Sequence, residues 1–420
     1  MKRDRWVAVI GLGFVGLPLV QLLEAKGYSV LGIDIDRRKI SSLQEGRSYL
    51  SDFTDEEMKE LIGKGTFIPT EGYEEVGRAE YIIIAVPTPL REMEPDLTAV
   101  KEVLHTLHPY LRSGQTVILE SSTYPGTTEE MVKRILEETG LQVGKEIFLG
   151  YSPERIEPGN DSFSLAKIPK VISGVTSECL GKVKELYGDL FETIVPVSSP
   201  KTAEFVKMLE NGQRLVNISF INEINMLAHR LKVDVWEVIE AAKTKPYGFT
   251  PYYPSAGAGG HCIPVDPVYL AWSARREGMR LRMIEEAIRV NELIPHFVME
   301  RAVELLERER IPLEKAKVGV IGITYKKDVN DIRESAALKV VRLLQERGVE
   351  VEVYDPLYSE DLPRLPRFSW EGEKIRSFDL ILILVDHSRI PWEELIRCGR
   401  LIYDTRNVTR RVHAPHVVRG

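Results

Sequence analysis

The chain has 420 residues, too many for one ordinary hydrophobic core, so two or three domains are expected. With 43% hydrophobic and 28% charged residues it reads as a globular protein, and a formal charge of −7 argues against a nucleic-acid partner while leaving room for a local basic pocket. Its three cysteines, Cys179, Cys262 and Cys398, form neither a disulfide framework nor a zinc pattern, which points to a reducing cytoplasm, and no metal ligand is assigned.

The start, Met1-Lys-Arg-Asp-Arg5 followed by an apolar run to Val20, superficially matches a secretory leader. Glycines interrupt the run and no small-residue cleavage site follows, so a strand and a phosphate-binding turn explain it better. No other stretch is apolar for long enough to span a membrane.

Val7-Ala-Val-Ile10 reads as a buried strand running into Gly11-Leu-Gly-Phe-Val-Gly16, then a helix through Lys26 and a second strand, Ser29–Ile33, closing on Asp34. Strand, glycine turn, helix, strand and an acid roughly 20 residues on form the dinucleotide fingerprint in its required context. Gly11 permits the tight turn, Gly13 lets the backbone meet a pyrophosphate, and Gly16 lets helix and strand pack. Phe14 and Val15 complete the contact surface. Asp34 should bind ribose hydroxyls and repel a 2′-phosphate, favouring NAD. Arg37, Arg38 and Lys39 pull the other way, since a cation there can accept the extra phosphate, and Lys39 is placed among the cofactor contacts.

Further strands are expected at Tyr81–Val86, ending in Thr88, at Thr116–Glu120, ending in Thr123, and at Ile147–Leu149, leading to Glu154 and Arg155 and on to Pro158-Gly159. Ligands of parallel sheets bind beyond the carboxyl ends of their strands, which places these loops at a pocket. From Lys201 to Leu231 apolar residues recur at helical spacing without a proline. A long linking or subunit-interface helix is expected, with Lys207 and Asn211 on one face. A second helical region is expected from about Ala271 to Glu307.

Between these helices lies Gly257-Ala-Gly-Gly-His-Cys-Ile-Pro-Val-Asp-Pro267. A thiol on a glycine-fed loop beside ionisable groups suits a nucleophile. A tight turn around a buried cysteine is the structural alternative. From Lys317 the alternation of strands and helices resumes without a Gly-x-Gly turn. Instead the loop from Gly322 to Arg333 carries Lys326, Lys327 and Arg333, which suits an anionic ligand. Together these patterns predict an α/β protein of two Rossmann-like parallel-sheet domains joined by a central helical region. The expected boundaries are 1–197 for an NAD-binding domain, 198–308 for a helical linking or subunit-interface region with the cysteine loop, and 309–420 for a second, smaller domain whose basic loop suits an anionic ligand. NAD in one domain and a thiol in the pocket imply hydride transfer followed by covalent capture of an aldehyde.

The ordered set Gly11–Gly16, Ser121-Ser-Thr-Tyr-Pro-Gly126, Ser152-Pro-Glu154, Lys207 with Asn211, Gly259-Gly-His-Cys-Ile-Pro-Val-Asp266 and Lys326 to Ser335 resembles the UDP-glucose/GDP-mannose dehydrogenase family over essentially the whole chain. The resemblance implies two-fold oxidation of C6 of a nucleotide sugar, with Cys262 as the catalytic thiol. It implies oxyanion stabilisation by Lys207 and Asn211, water activation by Asp266 and Thr123, and acid/base work by Glu154. Substrate contacts are implied for Glu154, Arg155, Lys207, Asn211, Tyr253, Gly259, Gly260, His261, Lys326 and Arg406, and cofactor contacts for Thr88, Thr123 and Arg333. His261 and Val265 replace the serine and lysine of the UDP-glucose branch. With Phe249–Pro254 they resemble the branch acting on UDP-N-acetylhexosamines, the glucosamine epimer expected first and the mannosamine epimer second. UDP-glucose is a further alternative. A homodimer or higher oligomer feeding surface polysaccharide or O-antigen synthesis follows from the same resemblance. Two rivals are a one-step NAD enzyme (alcohol dehydrogenase or epimerase) and a nucleotide-sugar sensor that binds without reacting.

Overall fold

The computed structural model describes residues 5–157, 159, 164–358, 365–412 and 414–420. Residues 1–4 and Pro158, noted above, lie outside them. The chain divides into two compact units, 1–210 with 268–279, and 211–267 with 280–420.

In the first unit the described residues build an eight-stranded sheet in the order Ile194–Pro196, Lys170–Gly174, Phe148–Tyr151, Thr116–Leu119, Ala79–Ile84, Trp6–Ile10, Ser29–Ile33, Phe67–Thr70. The last six are parallel and follow the doubly wound 3-2-1-4-5-6 order, whose switch point falls between Trp6–Ile10 and Ala79–Ile84. Lys170–Gly174 pairs antiparallel to Phe148–Tyr151. Side chains alternate between faces along each strand. Val7 and Val9 therefore join one buried cluster, and Ala8 and Ile10 the other.

The second unit carries a five-stranded parallel sheet, Glu350–Tyr354, Lys317–Ile321, Leu380–Ile383, Ile402–Asp404, Val417–Arg419. That is the 2-1-3-4-5 order, with its switch point at the loop from Gly322 to Arg333. Here the acid ending the second strand, Asp355, turns inward. Its Oδ2 accepts from the Ile323 and Thr324 amides at 2.8 and 3.2 Å and lies 3.1 Å from His387 Nε2, with the residue 2% exposed.

The long helix runs Pro200–Leu231, as its unbroken periodicity predicts. The expected second helical region divides into Asp266–Arg276 and Arg282–Arg308. The break is local: Gly278 takes φ +72°, and its N–H and that of Met279 bond back to Arg275 and Ala274, ending the first helix. Among the described residues no helix is long and apolar enough to cross a membrane.

Candidate active site

The first turn has the geometry of a dinucleotide cradle. Gly11 lies at φ +96°, and a Cβ there would stand 2.5 Å from the Ala85 carbonyl oxygen, so only glycine fits. At Gly16 a Cβ would stand 1.8 Å from the Gly11 carbonyl, whereas at Gly13 it would meet nothing within 4 Å. Gly13, Phe14 and Val15 are half-exposed, and the helix Gly16–Ala25 begins without a side-chain cap. Uncapped N–H groups facing open space are what a pyrophosphate requires. Asp34 Oδ2 accepts from the Leu12 amide at 2.9 Å and from Lys39 Nζ at 2.8 Å. Of the three neighbouring cations only Lys39 reaches Asp34: Arg37 pairs with Glu71 and Arg38 with Asp36, both guanidinium side chains being exposed. The residues present therefore fit NAD. Thr88 sits deeper than expected, 1% exposed, its hydroxyl donating to the Ser122 carbonyl at 2.7 Å.

Beyond the next strands lies a buried block of charge within the same unit. Lys207 Nζ donates to the Glu154 backbone carbonyl at 2.6 Å and stands 3.4 Å from its Oε2. Glu154 Oε1 is buried with no hydrogen-bond partner among the described residues. Burial pushes the Glu154 carboxyl up, and the nearby Lys207 and Lys170 charges only partly offset it. A carboxyl that keeps its proton above the ordinary range, next to a fixed ammonium, suits acid/base chemistry. Behind it Lys170 Nζ pairs with Glu120 Oε2 at 2.9 Å, and Tyr187 donates its hydroxyl to Glu120 Oε1. A void of about 10 Å³ lined by Glu120, Glu154 and Lys170 has room for about one water. Neither Lys170 nor Tyr187 was foreseen; the one available signal was an acid, Glu120, closing an otherwise apolar strand.

The Glu120–Lys170 pair is expected to respond sharply to loss of one partner. Lys170→Met should destabilise the fold by roughly 3–5 kcal/mol by leaving Glu120 buried and unpaired, and Lys170→Met with Glu120→Leu should recover much of it. Urea unfolding of the three proteins checks this.

Thr123 is fully buried, its hydroxyl donating to Thr127, so only its oxygen lone pairs remain for a ligand. The turn that holds it is pinned by Glu204, whose Oε1 accepts from the Thr128 amide and hydroxyl at 2.8 and 2.6 Å. Burial pushes Glu204 up from 4.5 to about 7, against these bonds and that from Gly126, which favour the anion. The folded chain thus keeps a proton that the unfolded chain releases above pH 4.5, so stability falls as pH rises from there to about 7. The fall should total about 3 kcal/mol and be absent in Glu204→Gln, as urea unfolding at the two ends of the window would show.

In the second unit the cysteine loop is clamped from two sides. Gly260 takes φ +84° and donates its N–H to the Arg333 carbonyl at 3.1 Å, and a Cβ there would lie 2.7 Å from the Tyr325 ring. Asn291, another residue the sequence did not single out, accepts from the Ala258 amide at 2.7 Å and donates to its carbonyl at 3.1 Å. Cys262 is half-buried and its carbonyl accepts from the Asp266 amide at 2.9 Å, opening the helix Asp266–Arg276. Arg333 lies close enough for its charge and the thiol to interact, and Asp331 holds that guanidinium at 2.6–3.1 Å. Asn211 Nδ2 donates to Asp266 Oδ2 at 2.6 Å, both side chains being buried. One amide hydrogen of Asn211 thus serves Asp266, leaving the other for an oxyanion. His261 and Lys326 are half-buried on the same two loops, and Gly259 packs against Tyr325 and Glu334.

The remaining expected substrate contacts separate. Tyr253 and Arg406, distant in sequence, line one cleft of about 540 Å³ with Trp236, Arg410 and Asp386. Trp236 stacks on Tyr253 at 5.8 Å, and Arg406 Nε bonds Asp386 at 2.9 Å. Arg155, in the first unit, points its fork at Glu210 and donates to the Pro169 carbonyl at 2.8 Å. Those donors hold a protein clamp. The expected set is thus shared, with Thr88, Thr123, Glu154, Arg155 and Lys207 in the first unit and Asn211, Tyr253, Cys262, Asp266, Lys326, Arg333 and Arg406 in the second.

A cradle for NAD on one parallel sheet, a second parallel sheet without one, and a thiol loop clamped beside an arginine define a two-sheet, NAD-dependent dehydrogenase. Models of the UDP-glucose/GDP-mannose dehydrogenase family match residues 5–191 (NAD binding domain), 201–293 (central domain) and 319–411 (UDP binding domain). The chain belongs to this family and is an NAD-dependent nucleotide-sugar dehydrogenase. It is 32% identical to the UDP-N-acetyl-D-mannosamine dehydrogenase of Pyrococcus horikoshii over 99% of this chain and 98% of that one. The solved structure of UDP-D-ManNAc dehydrogenase from the same organism superposes with a TM-score of 0.89 at 32% identity, again covering 99% and 98%. Identity to the UDP-N-acetyl-D-glucosamine 6-dehydrogenase of Pseudomonas aeruginosa is 36%, over 86% of this chain and 84% of that one.

Proposed function

We propose that the protein oxidises C6 of a UDP-N-acetylhexosamine from alcohol to carboxylate through a thioester on Cys262, with UDP-N-acetyl-D-glucosamine as the substrate. The observation that carries the covalent route is the Cys262 thiol on a loop clamped by Tyr325 and Asn291, beside the Arg333 cation. The turn from Gly11 to Gly16, with Asp34 and Lys39, would hold NAD, which would supply the hydride acceptor for both oxidations. Once the alcohol has become an aldehyde, the Cys262 sulfur adds to its carbonyl carbon and the oxygen takes a proton, giving a thiohemiacetal. Loss of the second hydride and of that proton leaves a thioester. Lys207 and Asn211 offer N–H donors to the oxyanions of these tetrahedral stages. Water then attacks the thioester, Asp266 and Thr123 orienting it and Glu154 taking its proton, and the thiol leaves as the acid forms.

Tyr253 and Arg406 in one cleft with Trp236 support a common role in holding the nucleotide sugar, with Lys326 of the loop after Lys317–Ile321 at its phosphates. The three spans 1–197, 198–308 and 309–420 serve as NAD-binding, helical and UDP-sugar-binding domains. Exposed Phe205, Leu209, Phe220, Leu227 and Leu231 along the helix Pro200–Leu231 support a homodimer interface. Reduced cysteines and the use of NAD favour the cytoplasm, with the uronic acid supplied to surface-polysaccharide assembly.

A second reading, UDP-N-acetyl-D-mannosamine, is favoured by the full-length match to the Pyrococcus horikoshii protein. NADH release with UDP-N-acetylglucosamine, UDP-N-acetylmannosamine and UDP-glucose in separate reactions tests both. About two NADH per sugar are expected with the glucosamine epimer, as thioester chemistry requires. Turnover only with the mannosamine epimer replaces the first reading by the second. Turnover only with UDP-glucose overturns both, and one NADH per product overturns the covalent route.

A further inference from the structure

Away from every residue invoked above, two histidines and a glutamate of the first unit converge. His105 lies in the last turn of the helix Thr98–Leu107, His108 opens the short turn that follows, and Glu138 caps the helix Lys133–Glu137. One ligand atom from each lies within 4.8 Å of the other two. The imidazole rings meet edge to face, with centroids 5.3 Å apart.

The tautomer of His108 is set by its surroundings. Its Nε2 lies 2.9 Å from the Ile135 carbonyl oxygen, which can only accept, so Nε2 carries the proton and Nδ1 presents a lone pair. A carbonyl holding the far N–H is the usual orienting partner of a metal-bound histidine. Among the described residues the His105 and Glu138 side chains have no other hydrogen bond or ion pair, and both are exposed, so an ion has access.

We propose that His105, His108 and Glu138 form a binding site for a first-row divalent transition metal, zinc foremost. Two imidazoles and one carboxylate suit zinc, with water in the fourth position. Magnesium and calcium prefer all-oxygen sites, and copper(I) prefers sulfur. Tetrahedral ligands at zinc distances stand roughly 3.3 Å apart, so side-chain rotation of about 1.5 Å closes the observed separation. The bound ion ties the end of the helix Thr98–Leu107 to the end of the helix Lys133–Glu137.

The test is titration of the metal-free full-length protein with zinc by calorimetry, and with cobalt(II) by absorption. One ion per chain is expected at this site, with cobalt d–d bands lacking the sulfur-to-metal charge-transfer band that an ion on the Cys262 thiol would show. His105→Ala and Glu138→Ala should each weaken binding by at least roughly tenfold, since even an outer partner of a ligand is worth 10–100-fold. Both variants should keep wild-type NADH release in chelator-treated buffer. No binding, equal binding by wild type and both variants, or a cobalt spectrum carrying only the sulfur band overturns the proposal.

Discussion

Cys262→Ala is expected to lower turnover of the nucleotide sugar by roughly 10⁴-fold or more, about 5.5 kcal/mol of transition-state stabilisation. Removing one member of a catalytic unit forfeits most of what the unit does, and the sulfur has no substitute in the loop: His261 is its neighbour, but the backbone is clamped on both sides by Tyr325, Asn291 and Arg333. The side chain is half-buried, so alanine removes one sulfur without opening a deep cavity, and the fold should survive. Steady-state NADH release checks the activity, and an unchanged unfolding midpoint shows that the loss is chemical. A one-step dehydrogenase or an epimerase using the same cofactor would be indifferent to the substitution. A binding module would show no turnover before or after it.

Glu154→Gln is expected to separate oxidation from hydrolysis. Glutamine keeps the volume and a carbonyl oxygen for Lys207, which in any case bonds the residue 154 backbone carbonyl at 2.6 Å, so the buried ammonium is not stranded. It cannot exchange a proton with attacking water. Turnover should fall by roughly 10²–10⁴-fold, the usual share of general acid–base catalysis. The first turnover should still release about two NADH per chain before stalling with the acyl group on sulfur, as the thioester route requires. Rapid-mixing absorbance reads the burst, and intact-protein mass reads the adduct. Burial holds the Glu154 carboxyl above its ordinary value. The same substitution should therefore remove a limb of the pH profile that reports this group, since a carboxyl with a raised value passes between acid and base closer to neutrality.

Much of the fold was readable because its signals are local. Ser29–Ile33 occupies the expected residues, and the long helix differs from expectation by one residue at its start. The strand end at Ile84 falls two residues short of the apolar run that announced it. The reason is physical: Ala85 lies against Gly11 of the neighbouring loop, so the apolar run continues into a loop contact after pairing stops. The antiparallel strand Lys170–Gly174 and the edge strand Val417–Arg419 were not foreseen. Each is short, and its place depends on a partner, Phe148–Tyr151 and Ile402–Asp404, that no local pattern identifies.

The site divides along the same line. The glycine turn and the acid ending the second strand are set by neighbours a few residues away, and backbone sterics act at that range. The order of these motifs along the chain was enough to point to the family. What a charged side chain faces is decided by contacts that join distant positions. Arg155 meets Glu210, 55 residues on, and the Tyr269 hydroxyl reaches the Thr88 carbonyl across 181. The same holds for Glu120 with Lys170, Asn291 with Ala258, and Trp236 with Tyr253 and Arg406. The sequence by itself determined a dinucleotide turn, two Rossmann-like sheets and a cysteine on a glycine-fed loop, because local geometry and hydrophobic period suffice for those. The tertiary structure alone decided which carboxylates are buried, and burial is what raises Glu154 and Glu204 above their ordinary range.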